Sequence, residues 1–263
     1  MSEKKYVFLT IVFVVLSIIA GISYVFLKSN RNITQNPPTD ELITQVEEAY
    51  CSDDTVYDID TLNDAYAKPA ETICKIDISK RSLDNIITEV YDFPNLEVLN
   101  IENNLLQTLP EDLSKLAKLK DIDISNNQLS EFPSVLLTLG NLERIDLMEN
   151  DMTSIPAEIQ KLNKLYFLDL SYNNLNEVPE TISGLNGLTQ LFLGNNNLST
   201  VPAGIEGLTN LETLSLFNNN ISEIPQFLHN LKNLKTLDLD GNQIESEDIT
   251  SLKQSLPSTE IKS

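Results

Sequence analysis

Acidic and aromatic side chains recur at regular intervals in the middle of this sequence, and they are the residues best suited to binding chemistry. Asp123, Asp146 and Asp169 follow one another at intervals of 23 residues, and Tyr166 and Phe167 lie close to the third of them. An apolar cluster with a charged rim is typical of a protein-binding surface. Whether these side chains serve binding or catalysis depends on which catalytic residues the chain contains and on the secondary-structure elements that position them.

The sequence offers little for catalysis. Its one histidine, His229, lies in the segment PQFLHNLKNL, where the neighbouring leucines are the core positions and the histidine is expected to point to solvent. A hydrolase triad needs a general base beside its nucleophile, and no such arrangement can be assembled from these residues. We therefore predict that the protein is not an enzyme.

One short stretch superficially resembles the start of a calcium-binding loop. It is DLDGN at 238–242, but Gln243 stands where such a loop requires glycine, and Ile249 stands where it requires glutamate. The match is accidental, and we predict neither a metal site nor a cofactor.

The elements that carry the acidic and aromatic residues follow from a repeat of 23 residues. Aligned on the first leucine, seven copies succeed one another without insertion: LEVLNIENNLLQTLP at 96, LKDIDISNNQLSEFP at 119, LERIDLMENDMTSIP at 142, LYFLDLSYNNLNEVP at 165, LTQLFLGNNNLSTVP at 188, LETLSLFNNNISEIP at 211 and LKTLDLDGNQIESED at 234. A degenerate copy, ICKIDISKRSLDNII, begins at 73. A period in this range predicts a solenoid whose repeats stack on one another.

The pattern L-x-x-L-x-L-x-x-N-x-L-x-x-L-P resembles the leucine-rich-repeat family, in its 23-residue Leu-Pro subclass, over residues 73 to about 261. This resemblance implies an α/β fold: a right-handed solenoid with a parallel sheet on its concave face and short helical or 3₁₀ segments on its convex face. The aliphatic first, fourth, sixth and eleventh positions independently predict one continuous core. Asparagine at the ninth position predicts a ladder that satisfies backbone groups of adjacent coils: Asn104, Asn127, Asn150, Asn173, Asn196, Asn219 and Asn242.

The other strand positions are expected to face the concave surface, where equivalent residues of adjacent coils lie about 4.8 Å apart. Phe167, Phe192 and Phe217 occupy the third, fifth and seventh positions of three successive copies, which predicts a diagonal of aromatic rings. The leucine framework already fills the core, so these rings are predicted to bind a protein or peptide ligand. The predicted site further contains Tyr166, Tyr172, Met148, Asp121, Asp123, Glu143, Asp146, Glu149 and Asp169. Aspartate at the fifth position is frequent in this family, so the acidic column alone also has a structural explanation.

The overall charge restricts the partners further. Acidic residues outnumber basic ones 39 to 18 in the whole chain and 38 to 14 from residue 38 onward, a net charge of −24 on that part. Such a surface repels phosphate backbones, so nucleic-acid binding is not expected. A protein partner with basic segments fits, as do divalent cations or a salty environment, and solubility alone is the alternative explanation.

The N-terminal region predicts a membrane anchor. Residues 6–27 are uncharged over 22 positions, enough for a helix of about 33 Å to cross a bilayer. We predict a short tail at 1–5, a transmembrane signal anchor at 6–27 and a linker at 28–39, with the C-terminal domain outside the cytoplasm. A cleaved signal peptide is the alternative, because small residues occur at 21–23. Equal numbers of flanking basic residues also leave the opposite orientation open.

A solenoid needs a cap at each end, because a terminal coil otherwise exposes its core. Residues 40–72 are predicted to form a helical N-terminal cap, residues 73–245 the repeats, and residues 246–263 a C-terminal cap. Apolar residues at 249, 252 and 256 predict a helix in that last segment, and STEIKS predicts a final edge strand.

The chain contains two cysteines, Cys51 in the N-terminal cap and Cys74 in the first coil. Outside the cytoplasm they could form a disulfide worth about 3 kcal/mol in the chain-entropy model. Two free thiols are the alternative, since sequence does not specify the distance between their Cα atoms.

Together these observations predict a membrane-tethered leucine-rich-repeat module that binds a protein or peptide through its concave face. One alternative is an envelope adhesion or structural protein that binds polysaccharide, for which stacked aromatics and carboxylates also serve. A second is a cytoplasm-facing regulatory scaffold, which follows if the anchor inserts the other way. The sequence makes no prediction about the oligomeric state.

Overall fold

The computed structural model describes residues 55–58, 60 and 65–263, all within one compact unit that spans Glu47–Ser263. These residues form a solenoid in which each regular coil contributes one short strand and one 3₁₀ helix. The prediction of a solenoid with a parallel sheet is confirmed. The repeat places the strands on one side of the solenoid and the short helices on the other. Each coil buries its framework side chains between its strand and its helix.

A single parallel sheet runs through the described part of the chain, and each strand pairs with its neighbours in sequence. From β2 to β9 all paired residues are 23 positions apart, as Ile145 and Leu168 are. Equivalent repeat positions therefore form straight columns across the sheet. The strands are β1 Tyr57–Asp58, β2 Lys75–Asp77, β3 Val98–Asn100, β4 Asp121–Asp123, β5 Arg144–Asp146, β6 Phe167–Asp169, β7 Gln190–Phe192, β8 Thr213–Ser215, β9 Thr236–Asp238 and β10 Glu260–Lys262.

The framework leucines fill the core, as the repeat pattern predicts. In the coil that starts at Leu165, the side chains of Leu165, Leu168, Leu170 and Leu175 are fully buried. The residues at the third and fifth positions flank the buried fourth position on the strand and point to the opposite face of the sheet. That opposite face is the concave face, and it carries the candidate site.

The convex side is built from 3₁₀ helices that begin after a proline in most coils. Proline has a fixed φ and no N–H group, so it suits the residue that enters a helix. Each regular helix ends five residues later, where a leucine returns to the core. The helices are η1 Ala70–Thr72, η2 Thr88–Asp92, η3 Glu111–Lys115, η4 Ser134–Thr138, η5 Ala157–Lys161, η6 Glu180–Gly184, η7 Ala203–Gly207 and η8 Gln226–Asn230.

The asparagine ladder at the ninth position links each coil to the one before it. Asn173 shows the pattern: its Nδ2 donates to the carbonyl oxygens of Leu147 and Leu170 at 3.0 and 3.1 Å, and its Oδ1 accepts the backbone N–H of Met152 at 3.0 Å. The other ladder residues, from Asn104 to Asn242, repeat these three bonds in their own coils. The predicted structural role of this column is confirmed.

The C-terminal cap consists of helix α1, Ser246–Ser255, followed by β10. Ile249, Leu252 and Leu256 are buried on the last coil, where their spacing predicts them. β10 pairs with β9 and is the last strand of the sheet.

The described part of the predicted helical N-terminal cap contains a strand that the sequence analysis did not predict. It contributes strand β1, which pairs with β2, and the short helix η1. An edge strand of two residues has too little periodicity to be visible in the sequence. The rest of the predicted cap lies outside the described residues.

Two further predictions concern segments that the structure does not describe. No helix among the described residues is long and apolar enough to span a membrane, and the predicted tail, anchor and linker at 1–39 lie outside these residues. Cys74 is disulfide-bonded. Cys51, the other cysteine of the chain, lies outside the described residues, so the pairing of these two cysteines stays a prediction.

Candidate functional site

The candidate site lies on the concave face across strands β4 to β8. It has two parts that share strand β6. The acidic row consists of Asp123, Asp146 and Asp169, which are paired residues of three neighbouring strands. The aromatic patch consists of Phe167, Phe192, Phe217 and Tyr172. The structure thus brings the principal predicted site residues together on one surface.

Each aspartate of the acidic row has a structural function at the end of its strand. The Oδ1 atoms of Asp123, Asp146 and Asp169 accept the backbone N–H two residues later, at 3.0, 3.2 and 2.8 Å. Asp77 and Asp238 make the same bond at the ends of β2 and β9. This turn at the strand end explains why aspartate recurs at the fifth position. The second carboxylate oxygen remains for other contacts.

Arg144 is a site residue that the sequence analysis missed. Its guanidinium lies 2.7 Å from the Oδ2 atom of Asp146 and 3.3 Å from the Oδ1 atom of Asp121. It also lies 4.3 Å from the centroid of the Phe167 ring, within cation–π distance. Its position was detectable in principle, because Arg144 stands between Asp121 and Phe167 in the column of third positions.

The electrostatics of the row show an excess of negative charge. Burial, the largest cause, and the carboxylates of Asp123 and Asp169 together raise the pKa of Asp146 to about 6, against the lowering effects of the Met148 backbone N–H and of Arg144. Burial also raises the pKa of Asp121 and Asp169. Burial opposes the charge on Arg144, but Asp121 and Asp146 outweigh it and raise the arginine pKa. One arginine therefore does not neutralise the four carboxylates around it.

The aromatic patch consists of two ring pairs rather than the predicted continuous diagonal. Phe167 and Phe192 are in contact with ring centroids 5.3 Å apart and ring planes tilted by 43°. Phe217 lies over Gly194, where it makes an edge contact with Tyr172 at 5.9 Å. The missing side chain of Gly194 opens the space that lets Phe217 lean back across one coil. The three phenylalanines are half-buried.

Tyr172 occupies a backbone position that favours other residue types. The eighth position of every coil has a positive φ, between 48° and 58° for the non-glycine residues. Asparagine or glycine suits this conformation best, and five coils have one of them. The exceptions are Lys80, Glu149 and Tyr172. A bulky aromatic residue is the least favourable of these choices.

Tyr172 also interrupts a second ladder of asparagine side chains. Nδ2 of Asn126 donates to Oδ1 of Asn103 at 2.6 Å, and Nδ2 of Asn218 donates to Oδ1 of Asn195 at 3.0 Å. Tyr172 supplies no acceptor one coil before Asn195, and the buried Nδ2 of Asn195 has no hydrogen-bond partner among the described residues. The tyrosine is thus unfavourable for the fold in two ways, which is a pattern expected at a functional position.

The remaining predicted site residues lie at the margins. Tyr166 is 42% exposed, close to the 44% of Tyr172 in the aromatic patch, and both are among the most exposed large apolar side chains in the described part of the chain. Glu143 and Glu149 flank the acidic row at the second and eighth positions, and Met148 is half-buried beside Asp146. They form a rim rather than the centre of the site.

His229 lies away from this surface. It was expected to point to solvent, but its Nδ1 is 2.8 Å from the Oγ atom of Ser255 at the end of α1, and the side chain is half-buried. The C-terminal cap covers it, a contact that the repeat pattern does not show. Within the described residues no cluster of three or more histidine, cysteine or acidic side chains could hold a metal ion.

Family models identify the repeats. A leucine-rich-repeat model matches residues 74–129, and a leucine-rich-repeat-region model matches residues 141–260, which together cover well over half of the chain. This protein belongs to the leucine-rich-repeat family. Among curated proteins, none matches the sequence significantly.

Solved leucine-rich-repeat structures share the fold. A leucine-rich-repeat protein of Leptospira interrogans is 30% identical, with a TM-score of 0.62 over 73% of this chain and 55% of that one. An internalin C2 of Listeria monocytogenes is 24% identical, with a TM-score of 0.68 over 78% of this chain and 90% of that one.

A receptor ectodomain is also similar. The ectodomain of the Arabidopsis thaliana receptor kinase GASSHO1/SCHENGEN3 was solved in complex with CASPARIAN STRIP INTEGRITY FACTOR 2. It is 26% identical, with a TM-score of 0.59 over 74% of this chain and 25% of that one. This chain spans little more than half of the Leptospira protein and a quarter of the plant ectodomain.

Proposed function

We propose that this leucine-rich-repeat protein is a binding module without catalytic activity, which recognises a protein or peptide through the aromatic patch and the acidic row of its concave face. The observation that carries the proposal is Tyr172. It occupies a left-handed backbone position and leaves the buried Nδ2 of Asn195 without a hydrogen-bond partner among the described residues, yet it adds an exposed ring to the patch. A purely structural repeat would have asparagine at this position.

The size of the patch is consistent with a protein ligand. An aromatic side chain buries about 150–250 Å² when fully covered, and since three of these four rings are already half-buried, the patch provides the apolar centre of a modest interface rather than most of its area. A charged rim around an apolar centre is the usual anatomy of such an interface. The plant receptor ectodomain with its bound factor provides an example of a similar fold in a complex with a partner.

The ring geometry favours a protein over a polysaccharide. A sugar ring stacks on a flat, exposed aromatic face, whereas Phe167 and Phe192 are half-buried and tilted against each other by 43°. Such a pair instead offers apolar ring edges against which an aliphatic or aromatic side chain can pack.

We further propose that the module is displayed outside the cytoplasm on the anchor predicted at residues 6–27. The uncharged run of 22 residues supports this proposal, as does a chain with two cysteines of which one, Cys74, is disulfide-bonded.

The experiment is an affinity capture with the full-length chain in detergent, followed by titration of each captured candidate. Replacing both Phe192 and Phe217 by serine should weaken binding by about 2–4 kcal/mol if they are hot spots. Leu105→Ser is the matched control, because Leu105 is 44% exposed but lies outside the concave patch. Urea unfolding checks that both variants remain folded. If the double variant binds as tightly as Leu105→Ser does, the patch is not the binding surface.

A further inference from the structure

The concave site has two chemically distinct halves at a defined separation. Asp123, Asp146, Asp169 and Phe192 are consecutive partners along the fifth-position column, so the acidic row continues directly into the aromatic patch. Adjacent strands lie about 4.8 Å apart, which places Phe192 about 14 Å from Asp123 and about 5 Å from Asp169. A ligand that crosses the strands meets the carboxylates first and the rings afterwards.

The carboxylate oxygens are not equally available. Both oxygens of Asp146 are used, one by the backbone N–H of Met148 and one by Arg144. The Oδ1 atoms of Asp123 and Asp169 accept bonds from Ser125 and Ser171, whereas their Oδ2 atoms have no hydrogen-bond partner among the described residues. The row therefore presents two carboxylate oxygens, on either side of Asp146, to a ligand.

Arg144 shows which chemistry this surface accommodates. Its guanidinium is paired with two carboxylates and stacked on Phe167 at 4.3 Å. This contact compensates one charge at Asp146, in the middle of the row, and leaves the carboxylates of Asp123 and Asp169 on either side without a cationic partner among the described residues. A second cationic group from a ligand would complement the remaining charge, because opposite potentials across an interface favour binding and exclude partners of like charge.

Resting on the binding function proposed above, we infer that the partner presents an extended polypeptide segment with a basic side chain over the acidic row and an apolar side chain four residues later over the aromatic patch. In an extended chain, residues i and i+4 project from the same face and lie about 13 Å apart, at 3.3 Å per residue. This distance matches the separation of Asp123 from Phe192. Spacings of three or five place the two side chains on opposite faces of the segment.

A displayed library of random nine-residue peptides tests this inference on the full-length protein. Selection on the native protein is followed by counter-selection on the variant in which Phe192 and Phe217 are both serine. The surviving sequences should be enriched in Lys or Arg four positions from Leu, Ile, Phe, Tyr or Trp, in one direction or the other. Spacings of three and five should not be enriched.

The strongest peptide is then synthesised with its basic residue intact or replaced by glutamate, and both forms are titrated by fluorescence anisotropy. The glutamate form should bind at least tenfold more weakly. The double protein variant with Asp123→Asn and Asp169→Asn should bind the basic peptide more weakly by a similar factor. This variant should bind the basic peptide and the glutamate peptide almost equally. Asp112→Asn on the convex side is the charge control and should change neither affinity.

Different failures have different meanings. If no peptide survives counter-selection, the concave patch does not bind a short extended segment and this inference is overturned, whereas the proposed function is decided separately by the affinity capture with the Phe192 and Phe217 double variant. If peptides survive and need the phenylalanines but show no basic residue, or bind Asp123→Asn with Asp169→Asn unchanged, the inference alone is overturned. The fold and the apolar site would then stand.

Discussion

Replacing Asn173 by alanine tests the role of the ninth-position ladder in the stability of the solenoid. The side chain is buried and makes three strong hydrogen bonds to adjacent backbone: two from Nδ2, to the carbonyl oxygens of Leu147 and Leu170, and one from the N–H of Met152 to Oδ1. Asn150 also donates to the Leu147 oxygen, and Asn196 to the Leu170 oxygen. Both carbonyls therefore keep one partner in the variant, but the Met152 N–H loses its partner.

The magnitude follows from this accounting. Each lost hydrogen bond contributes about 1 kcal/mol net, and a buried N–H group left without a partner costs about 1–3 kcal/mol. We therefore expect Asn173→Ala to lower the free energy of unfolding by about 3–5 kcal/mol. This coil lies in the middle of the stack, so the loss also weakens the interface that couples the two halves of the solenoid.

The assay is urea unfolding followed by circular dichroism, with Asn174→Ala as the matched control. Asn174 is the next residue in the sequence and is exposed, so its removal should change the free energy of unfolding by less than about 0.5 kcal/mol. A reduced slope with urea in Asn173→Ala would indicate that the two halves unfold separately. Equal stability of the two variants would refute the ladder argument.

Three further outcomes are expected. Gly194→Ala should leave the urea midpoint nearly unchanged but weaken ligand binding. The added methyl group must displace the Phe217 ring from its place beside Tyr172. Unchanged binding would show that the position of this ring is irrelevant. The stability of the native protein relative to Asp146→Asn should rise as pH falls from 7 to 5. Burial is the main cause that raises the pKa of Asp146 from its usual 3.8 to about 6, so the folded state takes up a proton at a higher pH than the unfolded state does. A stability difference that stays constant with pH would contradict that shift. The full-length protein should stay with membranes after carbonate washing, and protease outside intact cells should degrade the repeats; protected repeats would support the cytoplasm-facing orientation.

The sequence predicts the backbone of this fold well because the repeat imposes the same packing problem in every coil. Four aliphatic positions per copy can be buried only if the coils stack, so the sheet, its register and the core follow without reference to individual contacts. The ninth-position asparagines follow for the same reason, since buried backbone groups at a turn need partners. Strand β1 was not predicted because Tyr57–Asp58 lies outside the repeat and is only two residues long.

The candidate site is less predictable because it depends on the choice of rotamers between columns. The positions of Phe167, Phe192 and Phe217 predict a diagonal, yet Phe217 leans over Gly194 toward Tyr172 instead of meeting Phe192. Arg144 was missed for a related reason. Its importance comes from three partners on three adjacent strands, Asp121, Asp146 and Phe167, and a reading along the chain does not place them side by side.

Tyr172 allows the conflict between stability and binding to be measured directly. Tyr172→Asn and Tyr172→Ala both remove the ring contact with Phe217, so they lose that interaction equally. Only asparagine suits the left-handed backbone and also offers an acceptor to the buried Nδ2 of Asn195. These two gains are worth about 1 kcal/mol each, from the backbone preference and from one hydrogen bond.

We therefore expect Tyr172→Asn to be about 1.5–2 kcal/mol more stable than Tyr172→Ala in urea unfolding, while both bind the ligand more weakly than the native protein does. Repeating the comparison with Asn195 replaced by alanine should reduce the difference by about 1 kcal/mol, because the acceptor then has no donor. If asparagine and alanine at 172 are equally stable, the tyrosine imposes no cost on the fold. If both variants bind as the native protein does, the tyrosine was not retained for binding, and the aromatic patch loses its strongest support as the site of recognition.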